Sequence, residues 1–201
     1  MRDQIAARLA AFDSVAIDDD GLRRAAVALV IAEGSSGQPA LLLTLRPARM
    51  GRHAGQYALP GGKVDPGETG REAAFRELSE ELGLDLASGA LLGRLDDYPT
   101  RSGFRISPYV LWAGGGLELV PAPDEVAKVF HIPFAELDSE AIPLFRDGVE
   151  AGRPVLYSDF PTLGTQMYSP TASIIYQFRE VCLRGQATRV AHFDQPKFAW
   201  R

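Results

Sequence analysis

Apolar runs and Pro- or Gly-punctuated stretches alternate along the chain, and the spacing of the apolar positions switches between strand and helix periods. Residues 2–12 place Ile5, Leu9 and Phe12 at helical spacing, which predicts a short amphipathic helix. The Asp18-Asp19-Asp20 run that follows reads as a solvated linker. Residues 25–32 (AAVALVIA) and 41–45 (LLLTL) are strand-like, and GSSGQP between them has turn chemistry, so the two predict a hairpin of a buried sheet. Residues 90–97, 105–113 and 125–132 predict further strands, and 134–137 a brief helix. Residues 141–164 are broken by Pro and Gly and too short for a separate domain, which predicts an insertion or lid. Residues 169–183 predict a helix with Ser169 as its cap and Pro170 at its first position. The expected division is an N-terminal helix and linker over 1–24, one domain over 25–183, and a tail over 184–201. Phe193, Phe198 and Trp200 in that tail are expected to pack on the domain or across a dimer interface.

The stretch 62–84, GKVDPGETGREAAFRELSEELGL, carries a helical pattern of another kind. Glu77, Glu80 and Glu81 share one face, while Ala74, Phe75, Leu78 and Leu82 form the apolar stripe. Like charges at this spacing cost about 0.2–0.5 kcal/mol per pair. Glu80 and Glu81 also precede Gly83, a helix stop, where the macrodipole disfavours anions. A divalent cation would remove both penalties, and an all-carboxylate cluster is a ligand set for Mg²⁺ or Mn²⁺. The alternative is a solvated acidic face. Thr69 is a candidate cap for this helix, and Glu72 with Arg76 an i,i+4 pair.

Gly62, Glu68, Arg76, Glu77, Leu78, Glu80, Glu81, Gly83 and Leu84 match every fixed position of G-x5-E-x7-R-E-U-x-E-E-x-G-U, where U is aliphatic. The chain thus resembles a Nudix hydrolase. The resemblance implies an α/β fold, an α/β/α sandwich around a mixed β-sheet, and hydrolysis of a nucleoside diphosphate linked to another moiety. It implies that Glu77, Glu80 and Glu81 hold Mg²⁺ or Mn²⁺ and that Glu68 orients Arg76 through a salt bridge. Glu80 or Glu81 is the candidate base for the attacking water. Glu125 is a candidate further metal ligand from outside the motif, its alternative being a surface carboxylate. Gly61 and Gly62 would let backbone carbonyls approach a metal or phosphate closely.

Upstream, TLRPARMGRHAGQ and the LPGG that follows are similar to the signature of the coenzyme A diphosphatase branch, roughly L-L-T-x-R-S-x-x-L-R-x-H-x-G and F-P-G-G. Thr44, Arg46, His53, Gly55, Pro60, Gly61 and Gly62 match; Pro47, Met50, Gly51 and Leu59 depart. Similarity to this branch extends to LDDYPTRSGFRISP, DEVAKVFHIP and PTASI. Arg46 and Arg52 are candidates for binding phosphate, and His53 for binding substrate; the alternative for each is a surface residue. The loop DYPTRSGF offers Arg101 and Phe104 to a nucleotide, or is a plain hairpin loop.

Composition narrows the classes. A chain of 201 residues builds one sizeable core, and its net charge of −5 leaves no footprint for nucleic acid. Of its 21 basic residues only Lys63, Lys128 and Lys197 are lysine, and arginine suits bidentate phosphate recognition. Cys182 is the sole cysteine and lies in an apolar run, which reads as a buried structural thiol in a reducing, cytoplasmic setting. No apolar run is long enough for a membrane span. The expected activity is metal-dependent cleavage of coenzyme A or acyl-coenzyme A to 3′,5′-ADP and the 4′-phosphopantetheine portion. Alternatives are hydrolysis of ADP-ribose, NADH or another nucleoside diphosphate derivative, or a nucleotide sensor without turnover. The expected partner is the small-molecule substrate, with a second copy of the chain in a homodimer.

Overall fold

Strand β1 (Arg23–Glu33) is the spine of the computed structural model, which describes residues 1–34, 36–48 and 55–197. Residues Ala28, Leu29, Val30, Ile31 and Ala32 are all buried, so both faces of the strand are covered. Because side chains alternate, Leu29 and Ile31 join one apolar cluster, while Ala28, Val30 and Ala32 join another.

Strand β2 (Pro39–Leu45) forms the expected hairpin with β1, in register from Ile31↔Leu41 to Glu33↔Pro39. Beyond that register the two strands take different partners. Strand β3 (Tyr57–Ala58) pairs with the end of β2, and β4 (Gly61–Lys63) pairs with β1 through Ala26↔Gly62. Strands β5 (Leu91–Arg94) and β6 (Tyr98–Pro99) lie antiparallel to β7 (Phe104–Gly114), which runs parallel to β1. Strand β8 (Lys128–Pro133) closes on β2, giving a mixed sheet of eight strands among the described residues.

Helix α1 (Arg2–Ala11) supplies Ile5 and Leu9 to the cluster that holds Leu29. Helix α2 (Gly70–Leu82) covers the opposite face with Leu78 and Leu82. After the short α3 (Phe134–Leu137), a second antiparallel sheet forms from β9 (Leu144–Arg146), β10 (Val155–Phe160) and β11 (Thr165–Tyr168). The segment expected as an insertion or lid thus builds a small sheet, which β11 completes. Helix α4 (Thr171–Phe178) continues into a π-helical stretch (Arg179–Arg184) and packs Ile174, Ile175 and Phe178 on the α1 side. The arrangement is an α/β/α sandwich around a mixed sheet.

Two local expectations are corrected. Ser169 does not cap α4: its hydroxyl donates to Leu156 O at 3.0 Å and contacts Ser173 Oγ at 2.6 Å, which ties the helix to β10. Glu72 does not pair with Arg76; it accepts from Thr69 N at 2.8 Å and Thr69 Oγ at 2.7 Å in a capping box. In the tail, Phe193 is buried and its carbonyl accepts from Tyr98 Oη at 3.0 Å, while Phe198 and Trp200 lie outside the described residues. No helix among the described residues is long and apolar enough to cross a membrane.

Candidate active site

Helix α2 is held at both ends by its own sequence. Thr69 and Glu72 satisfy the first-turn donors, and Gly83 takes the left-handed conformation (φ +61°) that ends the helix, its N–H donating to Ser79 O at 2.8 Å. Gly70 lets the helix start press on β7, since a Cβ there would stand 2.8 Å from Tyr109 Oη.

Arg76 is the hub of the exposed side of this helix. Its Nε and Nη2 donate to the two oxygens of Glu68 at 3.0 and 3.1 Å, a bidentate pair, and Nη2 also donates to Lys63 O at 3.0 Å. Its Nη1 donates to Glu77 Oε1 and Glu80 Oε2, both at 2.9 Å. These bonds from Arg76 hold the Glu68 carboxyl below its ordinary value of 4.5. The arginine thereby joins the 65–68 turn, β4 and the helix into one rigid piece.

Glu81 sits on the inner side of the helix, 3% exposed, and its Oε2 accepts from Gly61 N at 3.2 Å. The contact needs glycine. Gly61 has φ +151°, and a Cβ there would collide with the carbonyl of Ala26 and stand 2.7 Å from Val27 Cα. Gly62 makes the same allowance for Glu77.

A third carboxylate arrives from far along the chain. The last carbonyls of α2 lack intrahelical donors, and Val120 N and Ala122 N supply them, bonding to Leu82 O at 2.8 Å and Glu81 O at 2.9 Å. Glu125 N and Val126 N then turn back to Ala122 O, and Ala127 N reaches Leu45 O at 2.8 Å. The result brings one carboxylate oxygen from each of Glu77, Glu81 and Glu125 within 4.8 Å of one another. Glu80 is not in this group; it is 54% exposed and turned to Arg76.

Such a cluster works against its own charge. Burial, with the neighbouring Glu77 charge, pushes the Glu81 carboxyl up to about 8 despite the Gly61 N–H and the Arg46 charge. Burial also raises Glu77, partly offset by its bonds from Arg76. Three converging oxygen donors that cannot comfortably all be ionised fit a hard divalent cation.

The cluster opens into a cavity of about 400 Å³, in the range of ligand sites. Arg46 lines it, with its Nε buried and lacking a hydrogen-bond partner among the described residues. Phe104 and Ile106 contribute an apolar wall, and the Arg23 guanidinium lies 3.9 Å from the centre of the Phe104 ring. Gly61 and Gly62 line the cavity too. Arg101 does not: it is paired with Asp194 Oδ1 at 3.0 Å and Glu150 Oε1 at 2.7 Å. Arg52 and His53 lie outside the described residues. Sequence reasoning passed over Gln195, a tail residue that lines the cavity and holds the 99–101 loop through Pro99 O at 3.2 Å and Arg101 N at 3.3 Å. Nothing local in the tail signals that role. Cys182 is buried, and burial pushes its thiol up to about 12, which suits packing and not nucleophilic chemistry.

Residues 22–164, well over half of the chain, match the profile of the NUDIX domain. A protein of Citrobacter koseri named Uncharacterized Nudix hydrolase NudL is 36% identical over 121 residues, 60% of this chain and 63% of that protein. Its namesake in Photorhabdus laumondii is 40% identical over 118 residues, 58% of this chain and 62% of the relative. The chain therefore spans less than two thirds of the length of these curated relatives. A MutT/nudix family protein from Enterococcus faecalis shares the fold, with a TM-score of 0.55 at 18% identity over 82% of this chain and 64% of the other. Together with the carboxylate cluster that the capped helix and Glu125 build, the match over 22–164 establishes that the chain belongs to the Nudix family.

Proposed function

We propose that the chain is a metal-dependent hydrolase that cleaves the diphosphate of coenzyme A or acyl-coenzyme A, releasing 3′,5′-ADP and 4′-phosphopantetheine or its acyl form. The observation that carries the reading is the convergence of Glu77, Glu81 and Glu125 on one cavity with Arg46, whose buried Nε has no partner among the described residues. In this reading the three glutamates hold Mg²⁺ or Mn²⁺. The cation, when bound, neutralises diphosphate charge and acidifies water.

The chain's own groups do the rest. Arg46 donates to a phosphate oxygen, which gives its Nε the acceptor it lacks. Arg76 keeps Glu77 fixed against β4, so the reacting groups need no rearrangement during the reaction. Glu81 takes the proton of the attacking water, since it lines the cavity and Glu80 does not. Water adds to one phosphorus, the bridging P–O bond breaks, and two phosphomonoesters leave. Phe104, backed by Arg23, offers a ring face for the nucleotide base.

The coenzyme reading rests on the likeness of residues 44–56 and the LPGG that follows to the coenzyme A diphosphatase signature. Thr44 Oγ1 donates to Ala58 O at 3.1 Å, pinning β3 just ahead of Pro60, Gly61 and Gly62. Chromatographic product analysis with coenzyme A, acetyl-coenzyme A, ADP-ribose, NADH and nucleoside triphosphates tests the reading. Release of 3′,5′-ADP from a coenzyme is expected; turnover confined to ADP-ribose or NADH would discard the coenzyme while keeping the chemistry. Tight binding without turnover of any of them would make the chain a sensor.

A further inference from the structure

A second cavity of about 200 Å³ adjoins the first, and Gln56, Tyr57, Pro170 and Thr171 line both. The two differ in charge. The first is walled in part by Arg46, Lys63, Glu77, Glu81 and Glu125, whereas no charged residue among the described residues lines the second. The rest of its wall is Gly55, Ser169 and the strand β11, which includes Gln166 and the buried Met167.

Gln166 is oriented by its neighbours. Its Oε1 accepts from Arg146 Nη2 at 3.1 Å and Tyr168 Oη at 2.7 Å. Arginine only donates, so the oxygen must face it and the amide nitrogen is left as a donor. Arg146 is itself held by two rings, its guanidinium lying 4.3 Å from the Tyr157 centroid and 4.8 Å from that of Tyr168. No acceptor for Gln166 Nε2 is found among the described residues.

We propose that this second cavity binds an uncharged arm of the substrate, one that carries hydrogen-bond acceptors such as amide carbonyls. A charged group would lose its hydration there with no charged residue in the described lining to compensate, whereas a neutral amide can accept from Gln166 Nε2 and lay its methylenes on Met167. The assignment rests on the diphosphatase reading of the adjoining cavity. It gives the 141–168 region a defined role: its small sheet builds the recognition wall for the part of the substrate beyond the diphosphate.

The test is steady-state kinetics of the wild type and Gln166→Trp with coenzyme A and with ADP-ribose. Gln166 is exposed, so the variant is expected to fold, and its thermal midpoint checks that. The expected result is a rise of about tenfold in KM for coenzyme A with kcat within about twofold, the effect of one lost hydrogen bond and a filled cavity. An unchanged KM overturns the proposal. An equal rise for ADP-ribose overturns the amide arm and gives the cavity to a sugar. If the wild type cleaves no coenzyme, the substrate reading fails separately. Ligand-observed NMR with pantetheine then decides the cavity, saturable binding lost in Gln166→Trp supporting it and its absence in the wild type overturning it.

Discussion

The Glu77 carboxylate lies against the backbone of Gly62, where a Cβ would stand 2.5 Å from Glu77 Cδ and closer still to its Oε1. The glycine is therefore required by the side chain opposite it, not by a turn. In Gly62→Ala the carboxylate has to move away from β4, and a displacement of about 1 Å at a reacting site costs on the order of 10²-fold in rate. Overpacking adds about 1–3 kcal/mol of lost stability. Kinetics together with thermal unfolding checks both; a fully active Gly62→Ala would mean that the position of Glu77 does not matter.

In the proposed mechanism Arg76 acts through the carboxylates that it holds, Glu68, Glu77 and Glu80. Lysine cannot reproduce the bidentate contact with Glu68 while also reaching Glu77 and Lys63 O. Arg76→Lys is expected to lower kcat by about 10- to 100-fold with the fold retained. Since Glu68 and Arg76 work as one unit, the loss in Glu68→Gln/Arg76→Lys should fall well short of the product of the single losses. A double-mutant cycle in kcat measures this, and strict multiplicativity would separate the two residues.

On the proposed reading Arg46 binds phosphate, and it is placed for that at a cost to the fold. A buried guanidinium nitrogen without a partner destabilises by about 1 kcal/mol or more. Arg46→Met keeps the stem and removes the charge, so its midpoint in denaturant should hold or rise. Its kcat/KM for the diphosphate substrate should fall by about 10²-fold. Loss of stability and activity together would make Arg46 a structural residue.

Glu81 makes stability depend on pH when no cation is bound. Its folded value of about 8 stands above its ordinary 4.5, so between these values the folded chain keeps a proton that the unfolded chain has released. Stability contributed by this group is complete below pH 4.5 and is lost as pH rises through 8. The metal-free protein should therefore lose on the order of a few kcal/mol across that window. Mg²⁺ should restore the loss, and Glu81→Gln should abolish the dependence. Chemical denaturation at a series of pH values in chelator and in Mg²⁺ checks it.

Local features were legible in the sequence. The hairpin of β1 and β2, the cap at Thr69 and the stop at Gly83 are written in adjacent residues with short-range physics. Helical spacing also put Glu77 and Glu81 on usable faces, but it could not apportion Arg76 among its neighbours. That arginine takes Glu80 out of the cluster, and the capping box takes Glu72 from Arg76. Long-range events were not legible from spacing, and Glu125 was a candidate only through the family resemblance. Glu125 joins the cluster because the 120–126 segment satisfies the end of α2, and Arg101 is drawn away from the cavity by Asp194 on the tail. Asp194 is a sink for such contacts: burial raises its carboxyl, yet bonds from Gln195 N and Arg101 more than offset this and hold it below its ordinary 3.8. Ser169 looked like a cap because its hydroxyl precedes Pro170, but Leu156 O and Ser173 Oγ are the partners it takes.

The most direct measurement is hydrolysis of coenzyme A in Mg²⁺ by the wild type, Glu81→Gln and Glu80→Gln, followed as release of 3′,5′-ADP. Glu81 lines the cavity with Glu77 and Glu125, whereas Glu80 only pairs with Arg76. The account expects Glu81→Gln to lose on the order of 10³-fold or more in kcat and Glu80→Gln to lose about tenfold. Equal losses in the two variants, or a Glu81→Gln enzyme that still turns over at the wild-type rate, would contradict it.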